Sequence, residues 1–501
     1  MAITLRSSRL AAVVESTEGT LIAPTGTGDY MAMQDDFSMT PATESIENAE
    51  LKSSIGKAKS IVGVENPTAS FSHYLRASGT VGTAPDFAEL LQASLGAESI
   101  ISTERDTVSS STTTVIKVDA GEGAEFERGD ILMIKDGTNG YSLRPVHSVS
   151  TDDLTLGFQL SAAPASGVNL GRSVLYKPAD SGHQSLSVWH YAGNGGFVQA
   201  MTGSRVTSMQ MTANTGELLN MQYTLEGNAY YYNPVIIASA DRYIDWTENG
   251  NTKAASITAK AYKSPDDLAS ALQTAMQAQS AGTITVTYSD STGKYTIDYS
   301  GVGLFTLPWN TGANTANTVG DKIGFSTAAD DTGAVTYTSD NALTLSSPHT
   351  PALDSSDPLV VKNMECFLGD QTSNTCFGAS TVSMTLATPS TKIKDICAES
   401  GIDSSLINSR EVTLSIVALI DQYDVDKFER YRNNTESRFL FNFGTKSGGN
   451  WVVNKCGHVY LPSCVISNFS VDQVDGVAVM NLELKAFVDS SGNGEVYIAF
   501  V

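Results

Sequence analysis

The chain of 501 residues has no uninterrupted apolar run of the roughly 18 residues that a bilayer-spanning helix needs. Near the N-terminus, the apolar stretch Leu10 to Val14 ends at Glu15, shorter than the core of a secretory signal, so assembly in a bacterial cytoplasm is the expectation. Basic residues are few, 31 Lys and Arg against 54 Asp and Glu, a formal charge of −23. That imbalance excludes a surface built to grip nucleic acid, because phosphate binding needs cations that displace counterions. Acidic walls can still face DNA where the task is to avoid sticking. Histidine is scarce too. Of the six, only His183 and His190 are near neighbours in sequence. Seven residues put them about 10 Å apart on a helix, or on opposite faces of a strand, so they share no metal. The five cysteines, Cys366, Cys376, Cys397, Cys456 and Cys464, match no zinc or C-x-x-C spacing. They read as buried thiols acting as small hydrophobes. No G-x-S-x-G, P-loop, H-E-x-x-H or Rossmann glycine pattern occurs. No catalytic, cofactor or metal site is expected, and the protein reads as a non-enzyme.

Apolar residues make up 41% and charged residues 17%, a globular balance, and abundant Thr, Ser, Gly and Tyr with only 15 Pro point to strands joined by turns. The length implies several cores. An internal duplication organises them. Ser38-Met39-Thr40-Pro41-Ala42-Thr43 recurs as Ser383-Met384-Thr385-Leu386-Ala387-Thr388, five of six identical at an offset of 345. Each copy is followed by a polar stretch, Glu44 to Pro67 and Pro389 to Arg410, read as a long loop. Next come strands at Ala69 to Leu75 and Val412 to Ala418, alternating with period two. Short helices follow, Asp86 to Leu95 with Phe87, Leu90, Leu91 and Leu95 on one face, and Val425 to Tyr431 with Phe428 and Tyr431. Finally Ser204-Arg205-Val206-Thr207-Ser208 matches Ser463-Cys464-Val465-Ile466-Ser467, each leading into a glycine-marked hairpin and a strand.

These blocks give four segments. Copy one spans 1–105 and 181–239, and copy two spans 346–501. Within copy one, 106–180 reads as a β-rich insertion, with strands at Thr114 to Val118, Asp130 to Ile134, Val146 to Ser150 and Leu154 to Phe158. The second insertion, 240–345, is α+β. Its helix starts with Ser264 as N-cap, Pro265 at the first helical position and Asp266 and Asp267 at the positive dipole end, and Leu268, Leu272 and Met276 recur every four residues. A hairpin follows at Ile284 to Tyr288 and Tyr295 to Tyr299. Both insertions are expected on an outer surface.

Asp35 and Asp36, and Asp472 and Asp475, fall beside strands of corresponding role. A catalytic dyad would need a cleft of which the sequence gives no sign. Two readings stay open for them, solvated turns or the acidic lining of a channel, for which Glu226 and Glu483 are further candidates. Lys52, Lys57, Lys59, Lys392 and Lys394 in the two polar stretches suit contacts with an acidic neighbour, so these stretches, with the arm Met1 to Ser8, are expected to bridge subunits or rings.

The segment Ser7 to Thr20, the duplicated blocks and the Tyr460-Leu461-Pro462 step before a strand resemble the major tail tube proteins of long-tailed bacteriophages, over about Met1 to Ala93, Gln184 to Asn233 and Asn363 to Val488. Thr306-Leu307-Pro308-Trp309 and Asp321-Lys322-Ile323-Gly324-Phe325 in the second insertion look similar to accessory domains of phage structural proteins. The resemblance implies a mainly β chain with two copies of a tail-tube β-sandwich, each with a flanking helix, whose strands join those of neighbours into a closed barrel. It implies as partners further copies of the chain in homotrimeric, pseudo-hexameric rings, a tape-measure protein, tail terminator and baseplate or tip proteins, and DNA passing without sequence-specific binding. A capsid decoration or tail-fibre protein would share the composition without requiring the duplication. A β-sandwich carbohydrate-active protein would need Trp-lined clefts, and Trp189, Trp246, Trp309 and Trp451 are scattered.

Overall fold

Val412, Leu414, Ile416 and Ala418 are buried while Glu411, Ser415 and Leu419 are exposed, the alternation of a strand with one face on a core. The same pattern recurs through the computed structural model, which describes residues 3–50, 55–136, 140–354, 356–373, 375–398, 400–420, 425–488 and 494–501. The fold is mainly β, with three α-helices among the described residues: α1 (Ala88–Leu95), α2 (Pro265–Gln277) and α3 (Asp426–Arg432). The chain divides into two units. One holds Met1–Thr25, Ser187–Thr202 and Ala229–Thr350, the other Gly26–Leu186, Gly203–Asn228 and Pro351–Val501.

The larger unit is built on an eight-stranded antiparallel sheet. Its strands in chain order are β1 (Ser38–Thr40), β2 (Thr68–Tyr74), β3 (Phe197–Asn214, from Gly203 onward), β4 (Asn220–Glu226), β5 (Ala379–Ala387), β6 (Glu411–Leu419), β7 (Asn450–Val474) and β8 (Val477–Ala486). In space they run β1-β2-β4-β3-β5-β6-β8-β7. The two halves repeat each other in register. Ser38 lies opposite Ser70 and Ser383 opposite Ser415, so both partners move on by 345 positions together. Glu226 lies opposite Thr68, and Lys485 opposite Thr413.

One correction concerns the last hairpin of each half. A β-bulge interrupts the ladder between Val206 and Ser208, and again between Ile466 and Asn468. Ser208 therefore corresponds to Asn468, and the inward residues Ser204 and Val206 to Cys464 and Ile466. The S-x-V-x-S match in the sequence is one residue out of structural register, and a one-residue slip exchanges the two faces of a strand.

The polar stretches after β1 and β5 are not loops. Thr43–Ile46 pairs with Ile61–Glu65, and Ser390–Lys394 with Ile402–Ile407, so each is a hairpin arm continuing the ladder of its half. Thr43–Ile46 is exposed throughout, and the second arm buries only Ile402 and Ser405, so neither arm shows the strict alternation that marks a half-buried strand.

A second sheet runs Gly96–Ile100, Val174–Pro178, Tyr497–Phe500, the first part of β7, Ser437–Ser447 and Glu365–Gly369. Aromatic rings join it to the first. His73 of β2 lies 4.6 Å from Phe87 and 5.7 Å from Tyr223 of β4, and Phe87 meets Phe500 edge-on at 6.0 Å. Phe87 leads into α1, whose Leu90, Leu91 and Leu95 are buried and which ends at Gly96 in the left-handed region. In α3, by contrast, Phe428 and Tyr431 are partly exposed, although both meet Phe469 of β7. Residues 106–180 contribute a four-stranded sheet, Val115–Lys117, Asp153–Leu156, Tyr141–Ser150 and Ile131–Lys135. Its Ile131, Met133 and Leu143 share a core with Leu440, Tyr460 and Ala499.

The smaller unit contains the α+β module. Ser264 caps α2 by accepting from Asp267 N at 3.2 Å, and Leu268, Leu272 and Met276 are buried. The hairpin Thr283–Ser289 and Lys294–Ser300 follows. Trp246, Trp309 and Phe325 fill its core, the last two 5.0 Å apart.

Cys366, Cys456 and Cys464 are buried as expected, but Cys376 and Cys397 are exposed, because they lie on irregular segments outside the sheets. Burial lowers His458 to about 3 and His73 to about 4, so both are held neutral. Their contribution is complete above pH 6.5, where the unfolded imidazole is neutral as well, and is lost as pH falls through the folded values. His458 Nε2 lies 3.0 Å from the Gly129 carbonyl, and His458→Gln keeps a donor there. The stability advantage of the natural chain over H458Q should shrink between pH 6.5 and 4 in denaturant titrations. A difference independent of pH would contradict the neutral assignment.

Candidate assembly surface

Opposite its buried face, the eight-stranded sheet presents hydroxyls and amides. At its centre, where β3 meets β5, Gln210 Nε2 donates to Ser383 Oγ at 3.2 Å and Thr212 Oγ1 lies 3.5 Å from the same oxygen. Met211 and Met384, one step along, point into the core. Charges sit toward the sides. Glu411 pairs with Lys485 at 3.0 Å, and Glu483 and Asp472 are exposed on β8 and β7. This face has few cations.

Three of the six acidic candidates, Glu226, Asp472 and Glu483, lie on strands of this sheet. Glu226 is half-buried, opposite Arg205 across the ladder, and accepts from Ser390 Oγ at 3.1 Å. The other three occupy turns. Asp35 and Asp36 precede β1, and Asp36 Oδ1 accepts the backbone N–H of Ser72 at 3.0 Å. Asp475, at φ +51°, and Gly476, at φ +81°, form the two-residue turn between β7 and β8. Positive φ at both positions suits the twist of a tight hairpin, and Asp-Gly is a favoured pair for it. The six candidates do not form one cluster.

The lysine candidates divide between the arms. Lys392 Nζ donates to the Gly227 carbonyl at 2.6 Å and Asn66 Oδ1 at 3.1 Å, and burial lowers its basicity. Lys394 lies 3.6 Å from Glu44. The arm of the second half is thus fastened to the first half. Lys57 pairs with Glu47 at 3.0 Å where both are largely exposed, a contact worth little by itself. Lys59 is exposed, and Lys52 lies outside the described residues. Ile3 to Ser8 lies against its own chain, Ser8 Oγ accepting from Gly193 N at 2.9 Å. Both arms also expose apolar side chains, Ile46, Ile61 and Val62 on the first, Ile393 and Leu406 on the second. Sequence reasoning followed charge and passed over these. Their signal was β-branched residues recurring in an otherwise polar stretch.

Among the described residues no group of three or more His, Cys, Asp or Glu is placed to hold a metal. No described helix is long and apolar enough to cross a membrane.

No family model matches the sequence, and no curated protein does. A solved structure of the SPP1 tail tube is similar at 9% identity, over 29% of this chain and 80% of its own, with a TM-score of 0.22. A score that low carries no argument about this chain.

The arms give a stability contrast. Lys392→Ala should cost about 1–2 kcal/mol, the scale of hydrogen bonds made by a charged group, whereas Val62→Ser should stay within about 0.5 kcal/mol. Equal losses by denaturant titration would mean that Lys392 does not fasten the arms.

Proposed function

We propose that the chain is the repeating subunit of a bacteriophage tail tube, which assembles with copies of itself around a channel for the tape-measure protein and, later, DNA. The observation that carries this reading is the register-conserved duplication inside one continuous sheet. A sheet built from two repeats joined edge to edge ends on edges equivalent to those it has already joined, which is the geometry of a closing ring. Closure also removes the aggregation hazard of an open strand edge.

Three chains of eight strands would close a barrel of about 24 strands. At roughly 4.8 Å between strands and a tilt near 40°, the backbone circle is about 48 Å across. Side chains narrow it to about 38 Å, still wider than a duplex of about 20 Å. The hydroxyl and amide face would line this channel, with Asp472 and Glu483, and Glu226 at its margin, as its acidic residues. Asp35, Asp36 and Asp475 would lie in the turns at its rim. A wall without free cations gives phosphates nothing to bind and leaves transport unhindered. With −23 per chain, a ring of three carries −69.

Residues 106–180 and 240–345 belong on the outside of such a tube, since a channel passing DNA has no room for them. The arms, with Ile46, Ile61, Val62, Ile393 and Leu406 exposed, suit contacts between successive rings, where Lys57 and Lys59 would meet the neighbour's acidic surface. Tail terminator and baseplate or tip proteins would cap the two ends. The tube would be assembled in the host cytoplasm and reside in the virion tail.

Negative-stain microscopy of the concentrated protein should show hollow tubes or stacked rings. Particles that stay monomeric under all assembly conditions would contradict the reading. In assembled phage, Asp472→Lys with Glu483→Lys should slow DNA delivery without preventing tube formation; unchanged delivery would show that the wall's charge is immaterial.

A further inference from the structure

Two turns that correspond across the repeat carry opposite chemistry. In the first half, Thr215 and Gly216 turn β3 into β4, and the flanking residues bond to each other, Asn214 Nδ2 donating to Glu217 Oε2 at 3.0 Å. The segment Leu359–Val361 covers that turn. Gly216 N donates to the Val361 carbonyl at 2.9 Å, and Val361 N to the Glu217 carbonyl at 2.8 Å. Counting on from the correspondence of Ser208 with Asn468, the turn of the second half is Asp475 and Gly476, and its flanks are Val474 and Val477. These valines are 49% and 53% exposed. Where the first half has a hydrogen-bonded polar pair, the second half holds two valines in water beside a carboxylate.

A pocket of complementary character borders the covering segment. It measures about 290 Å³ and is lined by Pro358, Val360, Lys362, Lys446 and Lys455, with Asp357 the single acid among its described lining residues. In a chain with 54 Asp and Glu against 31 Lys and Arg, three lysines around one small cavity run against the composition. Lys446 is engaged by Glu365 at 2.6 Å and by the Trp451 ring at 4.2 Å, whereas Lys362, Lys455 and Val360 are exposed. The pocket thus offers cations beside apolar surface, and the turn offers an anion beside apolar side chains.

We infer that the Val474-Asp475-Gly476-Val477 turn of one chain docks in this pocket of a second copy of the chain, with Asp475 between Lys362 and Lys455 and the valines against Pro358 and Val360. The inference rests on the tube reading and adds to it a contact between neighbouring chains of a ring.

Sheet topology sets the two partners at the same end of the strands. Tyr74 lies opposite Asn220, Asn214 opposite Thr381, Ala379 opposite Ala418, and Leu419 opposite Val479, two residues past the turn. The pocket starts at Ala77, just beyond β2, and at Leu359, whose N–H donates to the Leu75 carbonyl at 3.0 Å. β2 lies one strand in from one side of the eight, and β7 forms the other side. Chains set side by side in one orientation, as in a ring, bring the turn of each toward the pocket of the next. The contact is made by side chains and uses no strand edge.

A zero-length crosslink tests this directly. Tubes grown from an equal mixture of ¹⁴N- and ¹⁵N-labelled chains are treated with a carbodiimide, which joins a carboxylate to a lysine in direct contact. Mass spectrometry should find Asp475 joined to Lys362 or Lys455 in peptides that pair the two labels. Asp475→Asn keeps a residue suited to the turn and removes the charge, so it should raise the protein concentration needed for tubes about tenfold, the scale of one close charge pair. Lys362→Glu with Lys455→Glu should abolish tubes at unchanged melting temperature, since both side chains are exposed, and Lys362→Arg with Lys455→Arg should preserve them. Tubes in which Asp475 crosslinks elsewhere or not at all, or a normal tube yield from Asp475→Asn or from the two glutamate substitutions, overturn the docking and leave the tube reading standing. A parent chain that never self-associates contradicts both.

Discussion

Every strand edge exposes backbone N–H and C=O groups that must find partners, and the architecture of the larger unit follows from how that requirement is met. Inside the chain, one edge of the first repeat is satisfied by one edge of the second, β3 against β5. The rest of the design protects that junction. Met211 and Met384 close it from the core side, the Gln210, Thr212 and Ser383 side chains tie it on the polar side, and Lys392 fastens the second arm to the carbonyl of Gly227. On the tube reading proposed above, the same pairing requirement that joins the two repeats would also join the subunit to its neighbours.

On the tube reading proposed above, the two faces of the sheet would separate the tasks of cohesion and passage. The buried face carries the aromatic chain from Phe71 and Tyr223 through His73 and Phe87 to Phe500, which holds the two sheets together. The other face carries short hydroxyl and amide side chains, which hydrogen-bond one another across strands, and few cations. Burial of His73 and His458 as neutral groups belongs to the first task, and the pairing of Lys485 with Glu411 to the second. The module around α2 has a core of its own, whereas the sheet of residues 106–180 has one core of its own and shares a second with the Ser437–Ser447 and Tyr497–Phe500 strands.

Much of this was legible in the sequence where local chemistry is strong. The Ser-Met-Thr repeat at 345 residues marks strands that the structure pairs identically, and the Ser264-Pro265-Asp266-Asp267 start of α2 needed no tertiary information. What escaped has physical causes. A mostly exposed hairpin has little reason to alternate, so the arms read as loops. Bulges add a residue on one strand only, so the match of Ser204 with Ser463 looked exact in sequence and is wrong by one in space. The short strands Gly96–Ile100, Val174–Pro178 and Tyr497–Phe500 are defined by distant partners and carry little pattern of their own. Among the candidate residues, charge drew attention to Lys392 and Lys394, which find partners within the chain. The exposed Ile61 and Val62 were overlooked because they sit in a stretch whose polar composition reads as a loop.

The central claim is that one chain supplies two equivalent segments of a closed barrel, and a reconstruction of the assembled tube at a resolution that separates strands tests it most directly. The account predicts three chains per ring and about 24 strands around the channel. Six chains per ring, or a channel lined by anything other than the hydroxyl-rich face of this sheet, would contradict it.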